Sequence, residues 1–145
     1  MFEWGRAICY SGYRNGQSPK NATYPTYEQI KEDLTLLNEL GFKYLRMYDP
    51  IRYAEETCKV IRDCSFDMQL MLGPGLISEV NNPGCPWNKT NYSEEELKQR
   101  AERNDRNIDE LIRIANENSD VINSVSVGNE NTPQWGENNV PIERL

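Results

Sequence analysis

Four stretches of the chain share one pattern, a short apolar run followed by an amphipathic one. Arg6–Tyr10 and Phe42–Tyr48 are compact, strand-like runs, as is Phe66–Leu72. In the fourth, Val121, Val125 and Val127 alternate with Ile122, Ser124 and Ser126, the two-residue period of a pleated strand. Helical periodicity follows three of them. Tyr27, Ile30, Leu34, Leu37 and Leu40 share one helix face, with Thr26 and Gln29 placed as a capping box and Gly41 as the stop. Asp49-Pro50 reads as a cap and a first-turn proline, and Ile51, Ala54, Cys58 and Ile61 form the buried face behind it. Ser93 and Glu96 open a third helix, with Glu94–Glu96 at its positive end and Leu97, Ala101, Ile108, Leu111, Ile112 and Ala115 inward.

This pattern predicts parallel strands near residues 6–10, 42–48, 66–72 and 121–127, with helices packed outside. The fourth unit is cut short, since Thr132–Leu145 reads as a loop with the start of another helix. A doubly wound sheet and a barrel both fit the alternation. An eight-fold barrel takes about 250 residues. The 145 residues, taken as a single domain spanning 1–145, therefore hold about half of one, the first four β/α units. Half a barrel leaves open edges, so the isolated chain is expected to be marginal, or to associate with itself or with a second half through them. Residues 73–92, with Gly-Pro-Gly and Asn-Asn-Pro-Gly-Cys-Pro-Trp, read as a long loop of the kind that is functional or mobile.

Composition narrows the chemistry. Hydrophobic residues make up 37% and charged residues 27%, which places the chain among soluble globular proteins. No apolar run reaches the ~20 residues of a membrane span. A net charge of −7 argues against nucleic acid as a partner. There is no histidine, so acid/base work falls to carboxylates, Tyr, Lys or Cys. Cys9, Cys58, Cys64 and Cys85 lack CxxC spacing and are expected to be buried free thiols, or one or two disulfides if the chain is exported. No metal is expected. Neither a Gly-x-Gly-x-x-Gly nor a P-loop occurs, so no cofactor is expected either. Met1–Arg6 shows no signal segment, which implies a cytoplasmic chain, or a secreted or periplasmic one if further residues precede it. Asn-x-Ser/Thr triplets at Asn21, Asn88 and Asn91 are read as chance in an Asn-rich chain.

On a parallel sheet the C-terminal strand ends converge on one rim. Here they carry Tyr10, then Arg46, Tyr48 and Asp49, then Gly73-Pro74-Gly75, then Asn129 and Glu130. Donors, acceptors and one proton-transfer group together suit a polyhydroxylated ligand. Trp87 and Trp135 lie in loops at the same rim, where an indole can stack on a sugar or anchor its loop. Arg46 could instead pair with Asp49, and Asn129-Glu130 could simply open a turn. Cys9 and Met47 are expected to face the packed interior.

Ile8–Gly12, Tyr44–Asp49, Met71-Leu72-Gly73, Asn82–Trp87 and Val125–Glu130 together resemble, in order and spacing, successive motifs of glycoside hydrolase family 17, closest to its bacterial branch. That family comprises retaining β-1,3-glucanases built on a (β/α)₈ TIM barrel. The resemblance covers nearly the whole chain but only the N-terminal half of the barrel. It implies that Glu130 is the acid/base carboxylate and that Asn129 binds the sugar 2-hydroxyl. It further implies that Tyr10, Arg46, Tyr48 and Asp49 line the subsite beside the cleaved bond, with β-glucan as partner. The family's nucleophile, a Glu after strand seven, has no counterpart here, so the chain alone is expected to be inactive. A neighbouring acid such as Glu130 is expected to be partly protonated through burial and the second carboxylate. The alternatives are a β-glucan transglycosylase, another retaining barrel glycosidase, and a non-catalytic carbohydrate-binding half-barrel.

Overall fold

The computed structural model describes residues 4–48 and 50–145, with only the backbone described at 50–52. Four strands form one sheet in the order β1-β2-β3-β4, with every pairing parallel. They are β1 (Arg6–Cys9), β2 (Phe42–Met47), β3 (Gln69–Leu72) and β4 (Ile122–Val125). Helices α1 (Tyr27–Glu39), α2 (Pro50–Asp63) and α3 (Glu94–Glu117) alternate with them. Thr26 caps α1 with its side chain on the Gln29 amide, and Gln29 reciprocates. Ser93 and Glu96 do the same for α3. Each box satisfies backbone donors that the first turn of a helix leaves without partners. The predicted cap Asp49 lies outside the described residues.

The helices cover one face of the sheet. Leu45, Met47, Leu70, Leu72 and Ile122 are buried there against Ile30 and Leu34 of α1, Ala54 and Cys58 of α2, and Leu111 and Ile114 of α3. Met47 faces this interior as expected. An Arg62 fork holds both Asp120 oxygens at 2.6 and 2.7 Å and reaches Asn118 at 2.9 Å, tying the end of α2 to the turn before β4. That guanidinium keeps the Asp120 carboxyl below the usual carboxylate range.

Several expectations need correction at their edges. The third strand starts at Gln69 rather than Phe66. Ser65 takes a left-handed φ of 52°, and the Phe66 amide bonds back to Ile61, so the chain is still turning there. Strands β1, β2 and β4 end before Tyr10, Tyr48 and Ser126. Thr132–Leu145 yields only a single 3-10 turn, Ile142–Arg144. Leu40 lies beyond the last turn of α1 and is exposed, as is Ile112, because Leu111 and Ile114 hold the buried stripe of α3. The side chain of Ile51 lies outside the described residues. All four cysteines are free thiols, but only Cys58 and Cys85 are buried, whereas Cys64 is half-buried and Cys9 exposed.

Among the described residues, the opposite face of the sheet is open. Cys9, Arg46, Met71 and Ser124 form one register row across it, with Ala7 and Tyr44 beside them. These residues line a hollow of about 710 Å³. Cys9 therefore faces this hollow and is exposed, not packed under a helix as expected. Parallel sheets of α/β proteins are ordinarily covered on both faces.

Candidate functional site

At the C-terminal end of the sheet, β4 gives way to a tight turn. Gly128 has φ +79°, and Glu130 has φ +53°, an uncommon conformation for a residue with a side chain. Asn131 holds this turn from beneath. Its buried side chain accepts the Asn129 amide at 2.7 Å and donates to the carbonyls of Leu76 and Asn138. A Cβ at Gly128 would lie 2.4 Å from Asn131 Oδ1, so glycine is required both by the backbone angle and by the space. The outcome is that Asn129 and Glu130 are presented to solvent on a fixed loop.

Arg46, on β2, reaches across to this loop. Its Nη2 donates to Asn129 Oδ1 at 3.3 Å, and its guanidinium lies 4.6 Å from the Tyr48 ring centroid. The Tyr48 hydroxyl is 3.2 Å from Cys9 Sγ, which brings in the tip of β1. That contact raises the Tyr48 phenol above its ordinary range; partial desolvation and the Glu130 charge add to the shift, against the opposing pull of Arg46. Arg46, Tyr48, Asn129 and Glu130 thus converge, with Cys9 as an unforeseen neighbour. Asp49, expected beside them and as the alternative partner of Arg46, lies outside the described residues.

Tyr10 does not join this group. It is buried toward α1, donating to Asp33 Oδ2 at 3.0 Å and packing edge-on against Tyr53. Burial, chiefly, pushes its phenol far above the ordinary value. An Arg14 fork on the same carboxylate, at 2.7 and 2.8 Å, closes a structural cluster. A β-strand sends successive side chains to opposite faces, and Tyr10 falls on the helix-facing side, opposite Cys9.

The long loop of residues 73–92 carries no helix or strand but is densely tied down. Asn104 is fully buried on α3, pairs with both the amide and carbonyl of Ile77, and donates to Glu79. Asn82 donates to the carbonyls of Gln134 and Gly136, binding this loop to the one after β4. Between them the two loops hold Trp87 and Trp135, whose ring centroids are 6.2 Å apart at a tilt of 57°. Both indoles remain exposed, at 65% and 48%, as a bare aromatic surface. The backbone beside Trp135 touches the site loop, since a Cβ at Gly136 would meet the Glu130 carbonyl at 3.0 Å.

Glu130 is exposed, so the burial expected of it is not present. Among the described residues, no group of three or more metal-ligating side chains comes together. No described helix is long and apolar enough to cross a membrane.

No family model, no curated protein and no solved structure matches the chain.

The sequence reading missed Asn131 and Asn104. Asn104 left a signal, because it occupies an inward position between Ala101 and Ile108 where the other residues are apolar. A polar side chain on a buried stripe needs partners. Asn131 gave only its adjacency to Asn129-Glu130.

Proposed function

We propose that this chain is the sugar-binding, acid/base part of a retaining (β/α)₈-barrel glycosidase acting on β-1,3-glucan. The carrying observation is the Arg46–Asn129 hydrogen bond, which joins two of the expected site residues at the C-terminal end of a parallel sheet, next to Glu130 in the chain. Ligands of open and closed parallel β/α sheets bind at this end. Asn129 and Arg46 offer an amide and a fixed cation to ring hydroxyls, and the Trp87–Trp135 pair offers apolar faces to pyranose C–H surfaces. In this reading Glu130 protonates the departing glycosidic oxygen and then deprotonates the incoming water or acceptor sugar. Retaining chemistry also needs a nucleophilic carboxylate about 5–5.5 Å away.

The exposure of Glu130 favours a second reading, in which the rim binds glucan without cleaving it. Titration of the chain with β-1,3-gluco-oligosaccharides, read by tryptophan fluorescence, tests what both share. Saturable binding that weakens in Trp87→Ala and Trp135→Ala is expected, and an absence of saturable binding removes both readings. Turnover then separates them. In a protein that supplies the second carboxylate, Glu130→Gln should stop cleavage of unactivated glucan while preserving binding. Undiminished cleavage by Glu130→Gln would exclude Glu130 as the acid/base.

A further inference from the structure

We infer that the groove between α3 and the loop of residues 73–92 binds a small phosphomonoester. This goes beyond the carbohydrate reading and does not depend on it. Arg100, Arg103 and Arg106 are spaced three residues apart and so form one row along α3. All three line a single groove of about 290 Å³, together with Ile77, Tyr92 and Glu96. That size is close to the low end of small-molecule sites, about 300–1,000 Å³. Like charges in such a row repel, and the acids around them are engaged elsewhere. Glu110 is taken by Arg113 at 2.7 and 2.9 Å, and Asp105 by Arg144 at 2.8 Å. Glu96 accepts the amide and hydroxyl of Ser93, each at 2.8 Å. Glu102 and Asp109 are not part of the lining. Among the described residues, neither Arg103 nor Arg106 has a hydrogen-bond or ion-pair partner.

The third guanidinium is held in place. Arg100 Nε and Nη2 donate to the carbonyl and hydroxyl of buried Ser78, each at 2.8 Å, and the group lies 4.1 Å from the Tyr92 ring centroid. Its Nη1 remains to donate. One fixed and two adaptable forks offer more donors than the two oxygens of a carboxylate can use, whereas a phosphomonoester brings three acceptor oxygens and a charge of about −1.5 to −2. The chain's net charge of −7 repels extended polyanions at long range, which leaves a compact anion as the occupant. Ile77 and Tyr92 offer apolar contact to the organic group that carries the phosphate.

Isothermal titration calorimetry of the 145-residue chain with phenyl phosphate tests this. Saturable binding is expected, with benzoate at least about 10-fold weaker because it fills fewer forks. Arg103→Gln with Arg106→Gln should weaken phenyl phosphate by about 10-fold or more. Both positions are exposed, so circular dichroism should be unchanged. Lys98→Gln removes the same charge from α3 outside the groove and should bind as wild type. No saturable binding overturns the inference, as does a double variant that binds like wild type or a Lys98→Gln loss as large as that of the double variant. Benzoate as tight as phenyl phosphate overturns the choice of phosphate, and a phosphoserine peptide that binds more tightly than phenyl phosphate overturns the choice of a small molecule in favour of a protein partner. Titration with β-1,3-gluco-oligosaccharide should be unaffected in the double variant, so a failure here leaves the carbohydrate reading standing.

Discussion

Arg46 Nη2 and Asn129 Oδ1 lie 3.3 Å apart although 83 residues separate them in the chain. The contact joins the tip of β2 to the loop after β4, two strands away, and passes over β3 to do so. It holds the Asn129 side chain by its amide oxygen. Arg46→Met keeps the apolar stem and removes the fork. Hydrogen bonds to charged groups contribute about 1.5–3 kcal/mol, so affinity for a β-1,3-gluco-oligosaccharide should fall about 10- to 100-fold. Isothermal titration calorimetry checks this, and an unchanged Kd would take Arg46 out of the binding surface.

Asn131 supports the site without facing the ligand. Asn131→Ala leaves the Asn129 amide and the Leu76 and Asn138 carbonyls without a buried partner. Each buried group stripped of its partner costs about 1–3 kcal/mol, so a loss of at least ~2 kcal/mol is expected. Asn131→Asp keeps the acceptor for Asn129 but sets a buried carboxylate oxygen against the two carbonyls, and should cost at least as much as Asn131→Ala. Urea unfolding supplies both values. A change within the error of the wild type would mean that solvent or a neighbouring group replaces these bonds.

The sheet was legible because its signals are local and redundant. Capping boxes at Thr26 and Ser93, Gly41 after α1, and strand-length apolar runs each point to the same alternation, and the parallel order follows from it. At the site, Arg46, Tyr48, Asn129 and Glu130 were legible as polar residues at strand ends. Tyr10 was misplaced at one position of a two-residue period, which was enough to send it to the other face. Cys9 failed for the same reason in reverse. The contacts that hold the two rim loops together, Asn82 to Gln134 and Asn131 to Leu76, span 52 and 55 residues. No local pattern encodes such pairs, because each depends on where the whole sheet places its loops.

Cys58 gives the fold an alkaline weakness. The thiol is fully buried on α2, and burial pushes it up from 9.0 to about 12. Above 9.0 the unfolded chain loses this proton while the folded chain retains it, so stability is intact below that value and declines as pH rises toward 12. The slope is at most ~1.4 kcal/mol per pH unit from this group. Tyr10, raised from 10.0 chiefly by burial, acts in the same direction from that pH upward. Urea midpoints measured from ~pH 8 to ~pH 11 should therefore fall, and Cys58→Ala, although less stable throughout, should fall less steeply. Parallel pH profiles for the two proteins would show that Cys58 is not a source of the decline.

Gly128 and Gly16 form a matched pair that isolates what holds Glu130 in place. Both have positive φ, +79° and +82°. An added Cβ at Gly16 meets nothing within 4 Å, whereas at Gly128 it would lie 2.4 Å from Asn131 Oδ1. Alanine at either position carries the left-handed penalty of about 1–2 kcal/mol. Only at Gly128 must something also move, and the atom in the way is the acceptor that fixes the Asn129 amide. Gly16→Ala should therefore lose about 1 kcal/mol and bind sugar normally. Gly128→Ala should lose at least ~1 kcal/mol more, the cost of breaking a buried hydrogen bond, and should bind sugar poorly because Asn129 and Glu130 shift with the turn. Urea unfolding and oligosaccharide titration of the two variants side by side make the comparison. Equal stability losses with equal binding would show that the turn relaxes freely around Asn131, and that Glu130 is placed by something other than this contact.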